Sequence, residues 1–208
     1  MMYVWYMKST ITFLSLLWLC TFACLAQPNA SKNKTFAINY LKQTETDVLN
    51  SVKGLSKAQL SFKPDSAWSI EECIKHIAAS EKELWAMVDG ALKAPANPAL
   101  RANIKSTDSA LVKAVEDRSH KAKTFAALEP ANSPYKTVPE AIAAFKENRE
   151  KLIAFMQSAS EDNLRNHVST LPLGTYDAQQ LILLIAAHSK RHTSQIKEVM
   201  ANPAFPKK

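Results

Sequence analysis

The spacing of apolar residues is the feature that most restricts what this chain can fold into. Apolar side chains recur at the three- and four-residue intervals of a helix in four segments: about 34–53, 69–90, a third segment starting at 137, and about 177–201. The alternation of a half-buried strand is almost absent, and the 208 residues include only three glycines. The sequence therefore predicts an all-α protein, and a four-helix bundle is the simplest way to bury four apolar faces.

Residue types at the helix ends agree with these boundaries. Ser69 and Glu72 have the spacing of a capping box at the start of the second helix, and Thr137 and Glu140 have the same spacing at the start of the third. Gly54 is a natural stop after the first helix, since glycine often follows the last helical residues. The predicted helices thus have start and stop signals of their own.

A long connection, residues 91–136, separates the second and third helices. Four prolines interrupt it, and a short amphipathic helix is expected within it, over about 106–119. The connection is long enough to cross over the bundle, which would make the second and third helices parallel. Connections of this length usually carry function or structure of their own.

The first 26 residues have the features of a signal peptide. Lys8 is their only charge, an apolar stretch over 11–25 follows, and Cys24-Leu25-Ala26 is a small-x-Ala cleavage site. The stretch is short for a membrane span, which needs about 20 residues. We therefore expect an exported, periplasmic or secreted protein. Membrane association is expected only if this segment is retained or is lipidated at Cys24.

Length, cysteine count and charge limit the expected domain number, disulfides and partners. One bundle domain over 34–201 is expected, and Cys73 is the one cysteine outside the signal segment, so no internal disulfide can form. The formal net charge of +7 comes from lysines interleaved with acids, without an aromatic–basic motif. Nucleic acid is therefore not an expected partner, whereas a homodimer through helix faces is compatible with the pattern.

Two histidines lie on the apolar face of the last helix. His188 and His192 are four residues apart, so both imidazoles lie on one side of a helix, in line with Ile185 and Ile196. A buried imidazole needs a partner for each ring nitrogen, or a metal. His76 lies at the edge of the inward face of the second helix and can join the pair if the two helices are neighbours.

The histidine pair by itself leaves three interpretations open: metal binding, a hydrogen-bonded core pair, or general acid–base chemistry. Three imidazoles with one open position are the composition of a catalytic zinc-type site, and imidazole also suits nickel, iron and copper. The intervening residues Ser189-Lys190-Arg191 lack the glutamate of the H-E-x-x-H metalloprotease motif, and no residue is a convincing general base.

Other candidate ligands have simpler explanations. Cys73 lies one turn before His76 but is expected to be a small buried hydrophobe, and Glu72 is explained by its capping role. His120 and His167 lie in polar segments and are expected at the surface.

Several stretches of this chain resemble the DinB/YfiT-like superfamily. They are LSKAQLSFKPDSAWSIEECIKHIAASEKELW, TVPEAIAAFKENREKLIAFM and LGTYDAQQLILLIAAHSKRHTSQIKEV. The positions that carry the likeness are Trp68-Ser69, His76, His188, His192 and Gln195-Ile196. The likeness covers about residues 34–199.

The resemblance implies both a fold and a ligand set. The fold is a four-helix bundle with a right-handed up-down-down-up connection, and the ligands of a divalent metal are His76, His188 and His192. Metals are mixed among such proteins, so zinc, nickel and iron are all compatible with the resemblance.

The activity that the resemblance implies is less specific. Some relatives look like transferases that use low-molecular-weight thiols, and others resemble metal-dependent hydrolases. We therefore expect a metal-dependent hydrolase or transferase with a small-molecule substrate. The alternative is a non-catalytic bundle in which the metal is structural or the histidines bind a ligand. An export signal is unusual for this superfamily and argues against a cytosolic thiol as the partner.

Overall fold

The computed structural model describes residues 30–65, 67–121, 123–172 and 174–207. Its elements are α1 (Ala30–Val52), α2 (Lys57–Ser61), α3 (Ile70–Lys93), α4 (Asp108–Glu116), α5 (Val138–Ser158), α6 (Glu161–Asn166), β1 (Val168–Leu171), β2 (Gly174–Asp177) and α7 (Ala178–Met200). The predicted all-α class is confirmed. The predicted signal peptide, residues 1–26, lies outside the described residues. None of the described helices is long and apolar enough to cross a bilayer.

The capping residues follow the predicted signals with one exception. The Ser69 hydroxyl accepts the Glu72 N–H at 3.1 Å and the Glu72 carboxylate accepts the Ser69 N–H at 2.8 Å, so the predicted capping box is confirmed. Thr137 also caps its helix, but the Glu140 carboxylate accepts the N–H of Lys136 instead, one residue before the cap. The second half of that predicted box is therefore wrong.

Glycine marks the end of the first helix but not of the second long one. Gly54, just beyond α1, has a φ of +73°, in the left-handed region that glycine adopts without strain. Helix α3 continues through Gly90 to Lys93, so its predicted end is three residues short. A glycine inside a helix costs only about 1 kcal/mol relative to alanine, and Leu92 beyond it packs against the core.

The four long helices form a ring in which α7 packs against α1 and α3, and α5 packs against the same two helices. One apolar cluster joins the first half of α1, the end of α5 and the first half of α7. A second cluster joins the end of α1, the starts of α3 and α5, and the end of α7. The up-down-down-up order and its right-handed connection both stay predictions.

A buried ion pair joins all four long helices between the two clusters. Arg149 of α5 donates to both carboxylate oxygens of Glu81 of α3, at 2.5 and 2.7 Å. The same guanidinium donates to the Leu41 carbonyl and Thr44 hydroxyl of α1 and to the Ser189 hydroxyl of α7. Both charged side chains are almost fully buried. A charge in this position is tolerated only because it is paired and hydrogen-bonded.

In the connection from α3 to α5, helix α4 packs against α7. This helix is shorter than the predicted 106–119, because Thr107 caps its start and the chain turns away at Asp117. Arg191 of α7 donates to the carbonyls of Val115, Asp117 and His120, and so holds the end of α4 against the bundle.

A short antiparallel hairpin, β1 with β2, precedes α7 and was not predicted. Each strand has only four residues, which is too short for alternation to be recognised in the sequence.

Candidate metal centre

Helices α3 and α7 bring His76, His188 and His192 together. The Nε2 atom of His188 lies 3.2 Å from the Nε2 atoms of both His76 and His192. One nitrogen of each ring lies within 4.8 Å of the other two. No other set of three or more histidine, cysteine or acidic side chains converges in this way in the part of the chain that the structure describes. The three residues that the resemblance implied thus share one site that could hold a metal.

Hydrogen bonds to the far side of two rings decide which nitrogen faces this site. His76 Nδ1 lies 2.7 Å from the backbone carbonyl of Leu128, which can only accept, so Nδ1 carries the proton. His192 Nδ1 lies 2.9 Å from the amide oxygen of Gln195 and donates to it. Both Nε2 atoms therefore present lone pairs to the centre. Such outer partners are typical of metal-ligating histidines.

The donor set fits a transition-metal ion. A single proton on His188 Nε2 can serve only one of the two neighbouring lone pairs at a time. The other lone pair then depends on a long hydrogen bond of 3.4 Å from the Ser80 hydroxyl to His76 Nε2. One cation among the three Nε2 atoms satisfies all of them. Neutral imidazoles suit zinc, nickel or iron, whereas magnesium and calcium prefer oxygen ligands.

Burial keeps these imidazoles neutral. It is the largest cause of the lowered pKa of all three rings. For His188, burial and the neighbouring charges of His76 and Arg191 lower the pKa from 6.5 to about 3. The pKa of His192 is also well below its usual value, through burial and then the other two histidines. Neutral imidazole is the form that binds metals, so the site is in its ligating form at neutral pH.

An aromatic wall covers one side of the site. The Trp68 indole is stacked on the His192 ring, with 5.9 Å between centroids and 13° between planes, and its centroid lies 4.8 Å from that of His76. His76 and His192 are only 2% and 8% exposed. His188 is enclosed enough for burial to dominate its pKa, yet part of its surface remains exposed. Access for a ligand is therefore expected beside His188.

The remaining candidates lie outside the histidine set. Cys73 is fully buried, and burial raises the pKa of its thiol to about 12, so it is a neutral thiol among apolar neighbours. Glu72 caps α3 and forms an ion pair with Lys63. His120 is exposed, and His167 donates from Nδ1 to the Asn163 carbonyl, away from the site.

The contacts that three groups make with the histidines were not predicted from the sequence. Gln195 had a usable signal, because it follows His192 by three residues on the same helix. Ser80 lies one turn after His76, with its hydroxyl 3.4 Å from His76 Nε2, and its spacing was equally visible. Leu128 had no signal, because it contributes a backbone carbonyl from the long connection, 52 residues from His76.

Comparison with known proteins agrees with this picture. The family model described as the DinB superfamily matches residues 40–196, which is more than half of the chain. The chain is also similar to the uncharacterized protein YuaE of Bacillus subtilis (strain 168), with 26% identity over 163 residues that cover 78% of this chain and 96% of YuaE. No solved structure matches the chain.

Proposed function

Because the chain belongs to the DinB superfamily, we propose that it binds one divalent metal ion through His76, His188 and His192 and uses that ion in catalysis on a small-molecule substrate. The observation that carries this proposal is the convergence of three Nε2 atoms, two of which have their lone pairs fixed by acceptors on the opposite nitrogen. Zinc, nickel and iron all suit this donor set.

The number of protein ligands favours catalysis over a purely structural role. Structural zinc sites usually have four protein ligands, whereas catalytic sites have three and keep a position open. No cysteine or carboxylate joins the three histidines within the described residues. A bound divalent ion would act as a Lewis acid and lower the pKa of a ligand at the open position. We propose hydrolysis or group transfer as the reaction.

A structural metal is the second candidate, and one observation favours it. The three histidines join α3 to α7, and the hydrogen bond from His76 to Leu128 also ties the long connection to the site. An ion held there would cross-link these elements whether or not it takes part in a reaction. Removal of the metal by a chelator distinguishes the two functions. It should abolish the activity of a metal-dependent enzyme, whereas a protein with a purely structural metal has no activity that could be lost.

Metal content is the first test. Protein of residues 27–208, purified without a histidine tag and reloaded with zinc, nickel or iron, should contain near-stoichiometric metal by plasma mass spectrometry. His188→Ala should contain little. His167→Ala is a matched control, since this histidine is hydrogen-bonded away from the site, and it should bind like the parent. A parent without metal, or equal metal in parent and His188→Ala, would contradict the proposal.

We also propose that the protein is exported, on the strength of the N-terminal sequence. Expression of the full chain should yield a mature protein that begins at Gln27. N-terminal sequencing of the purified protein measures this directly. A protein that keeps its first residues, or that begins with a lipid-modified Cys24, would contradict cleavage after Ala26.

A further inference from the structure

A buried hydroxyl adjoins the candidate metal ligands. Ser80 lies on α3, one turn after His76, and is only 1% exposed. Its Oγ atom lies 3.4 Å from His76 Nε2. The structure gives this hydroxyl no second hydrogen-bond partner among residues 30–65, 67–121, 123–172 and 174–207. Its neighbour Glu81 is turned away and is bound to Arg149.

The direction of this hydrogen bond follows from the other side of the His76 ring. His76 Nδ1 donates to Leu128, so Nε2 must accept, and the Ser80 hydroxyl is the donor. A metal ion bound to the lone pair of His76 Nε2 leaves the Ser80 hydroxyl without this acceptor. Buried hydroxyl groups are rarely left without a partner. With metal bound, the Ser80 hydroxyl is therefore available to donate to another acceptor at the site.

We propose that Ser80 donates a hydrogen bond to the ligand at the open position of the metal, and so favours ligands whose metal-bound atom keeps a spare lone pair, above all oxygen and sulfur anions, which are the strongest acceptors. This inference rests on the proposed metal centre. An oxyanion, a thiolate or azide keeps spare lone pairs after binding a metal and can accept from Ser80. A neutral nitrogen base such as imidazole has used its one lone pair on the metal and cannot. The substrate class that fits is a small molecule that presents an oxygen or sulfur anion.

Two buried serines allow a matched experiment. Ser80→Ala removes the proposed donor. Ser189→Ala removes an equally buried hydroxyl next to His188 in sequence, but this hydroxyl accepts from Arg149 at 3.0 Å and donates to the Ile185 carbonyl. Alanine is the residue most favourable to a helix, so both variants should keep their helices. Circular dichroism checks this before any titration.

The parent and both variants, as untagged residues 27–208, are loaded with cobalt(II) and titrated with azide and separately with imidazole. Visible absorption of the cobalt reports binding of each ligand. We expect Ser80→Ala to keep the parent's affinity for cobalt and for imidazole but to lose about tenfold or more in affinity for azide, the size of a charge-assisted hydrogen bond. Ser189→Ala should bind both ligands like the parent.

Other outcomes separate this inference from the function on which it rests. Unchanged azide affinity in Ser80→Ala, or an equal loss for azide and imidazole, would overturn the role of Ser80 and leave the metal centre intact. An equal loss of azide affinity in Ser189→Ala would overturn it as well, because the effect would then follow from any buried hydroxyl. A parent that binds no cobalt would overturn the metal centre and this inference together.

Discussion

Single acceptor groups determine how the histidines are presented. The Leu128 carbonyl and the Gln195 amide oxygen each take the Nδ1 proton of a neighbouring ring, at 2.7 and 2.9 Å. Without them, each imidazole could adopt either tautomer and either ring orientation, and only part of that population would face the centre as a ligand. These acceptors therefore hold the two imidazoles in the tautomer and orientation that can bind an ion, so that neither has to change when the ion binds.

Gln195 tests this role, because its contribution comes from a side chain. Gln195→Ala should weaken zinc binding by about 10- to 100-fold, the usual loss when the partner of a ligating imidazole is removed. Competition against a chromogenic chelator measures the change. Ser194→Ala, at the adjacent position of α7, should bind zinc like the parent. Equal affinities in Gln195→Ala and the parent would show that His192 needs no partner to ligate.

The stability of the metal-free protein should depend on these imidazoles. Burial lowers the pKa of all three, and that of His188 reaches about 3. Below about pH 6.5 the unfolded chain takes up protons on these rings while the folded protein does not. The free energy of unfolding should therefore be at its full value above this pH and decrease as the pH falls toward 3.

Thermal melts of the metal-free protein from about pH 8 to about pH 4 measure this decrease. His188→Ala removes the ring whose pKa is lowered to about 3, so its melting temperature should fall less steeply over the same range. Parallel curves for the parent and His188→Ala would contradict the link between burial of this ring and pH sensitivity. His167→Ala should follow the parent.

Among the contacts between helices, the buried Arg149–Glu81 ion pair is the one whose disruption by a single substitution should destabilise the protein most. Glu81→Ala leaves the guanidinium buried without its counter-charge and should lower the free energy of unfolding by about 3–5 kcal/mol in urea titrations. Arg149→Met combined with Glu81→Leu removes both charges and should destabilise less than Glu81→Ala alone.

The exposed pair Lys151–Glu147 on the same helix α5 provides the control. Glu147→Ala should change stability by less than about 1 kcal/mol, since exposed ion pairs contribute little. A loss in Glu81→Ala no larger than that in Glu147→Ala would show that the buried pair does not hold the four helices together.

The sequence identified the long helices because their boundaries are local. The Ser69–Glu72 box and the apolar spacing act within one or two turns, so they can be recognised without the tertiary structure. The buried pair also has a signal in the sequence. Arg149 lies between Phe145 and Leu152 on the buried face of α5. A charge on a predicted apolar face indicates a buried partner on another helix, but the partner itself depends on how the helices pack.

For the whole molecule, the candidate centre lies where separate parts of the chain meet. Two ligands come from α7 and one from α3, and the long connection reaches the site through Leu128. Sequence spacing could place His188 beside His192, because both lie on one helix. It could not bring His76 to them without the resemblance, because 112 residues separate His76 from His188. The centre is thus a property of the assembled bundle.

A site that exists only in the folded chain couples metal binding to folding. An ion that binds the native state alone should raise the free energy of unfolding by about 1.4 kcal/mol for each tenfold increase in free metal above its dissociation constant. Urea titrations across a buffered zinc series measure this slope, and His188→Ala should show none. The same slope in parent and variant would place the stabilising ion elsewhere. This coupling holds for a catalytic or a structural ion, so the deciding comparison is substrate turnover by chelated protein under conditions where it stays folded.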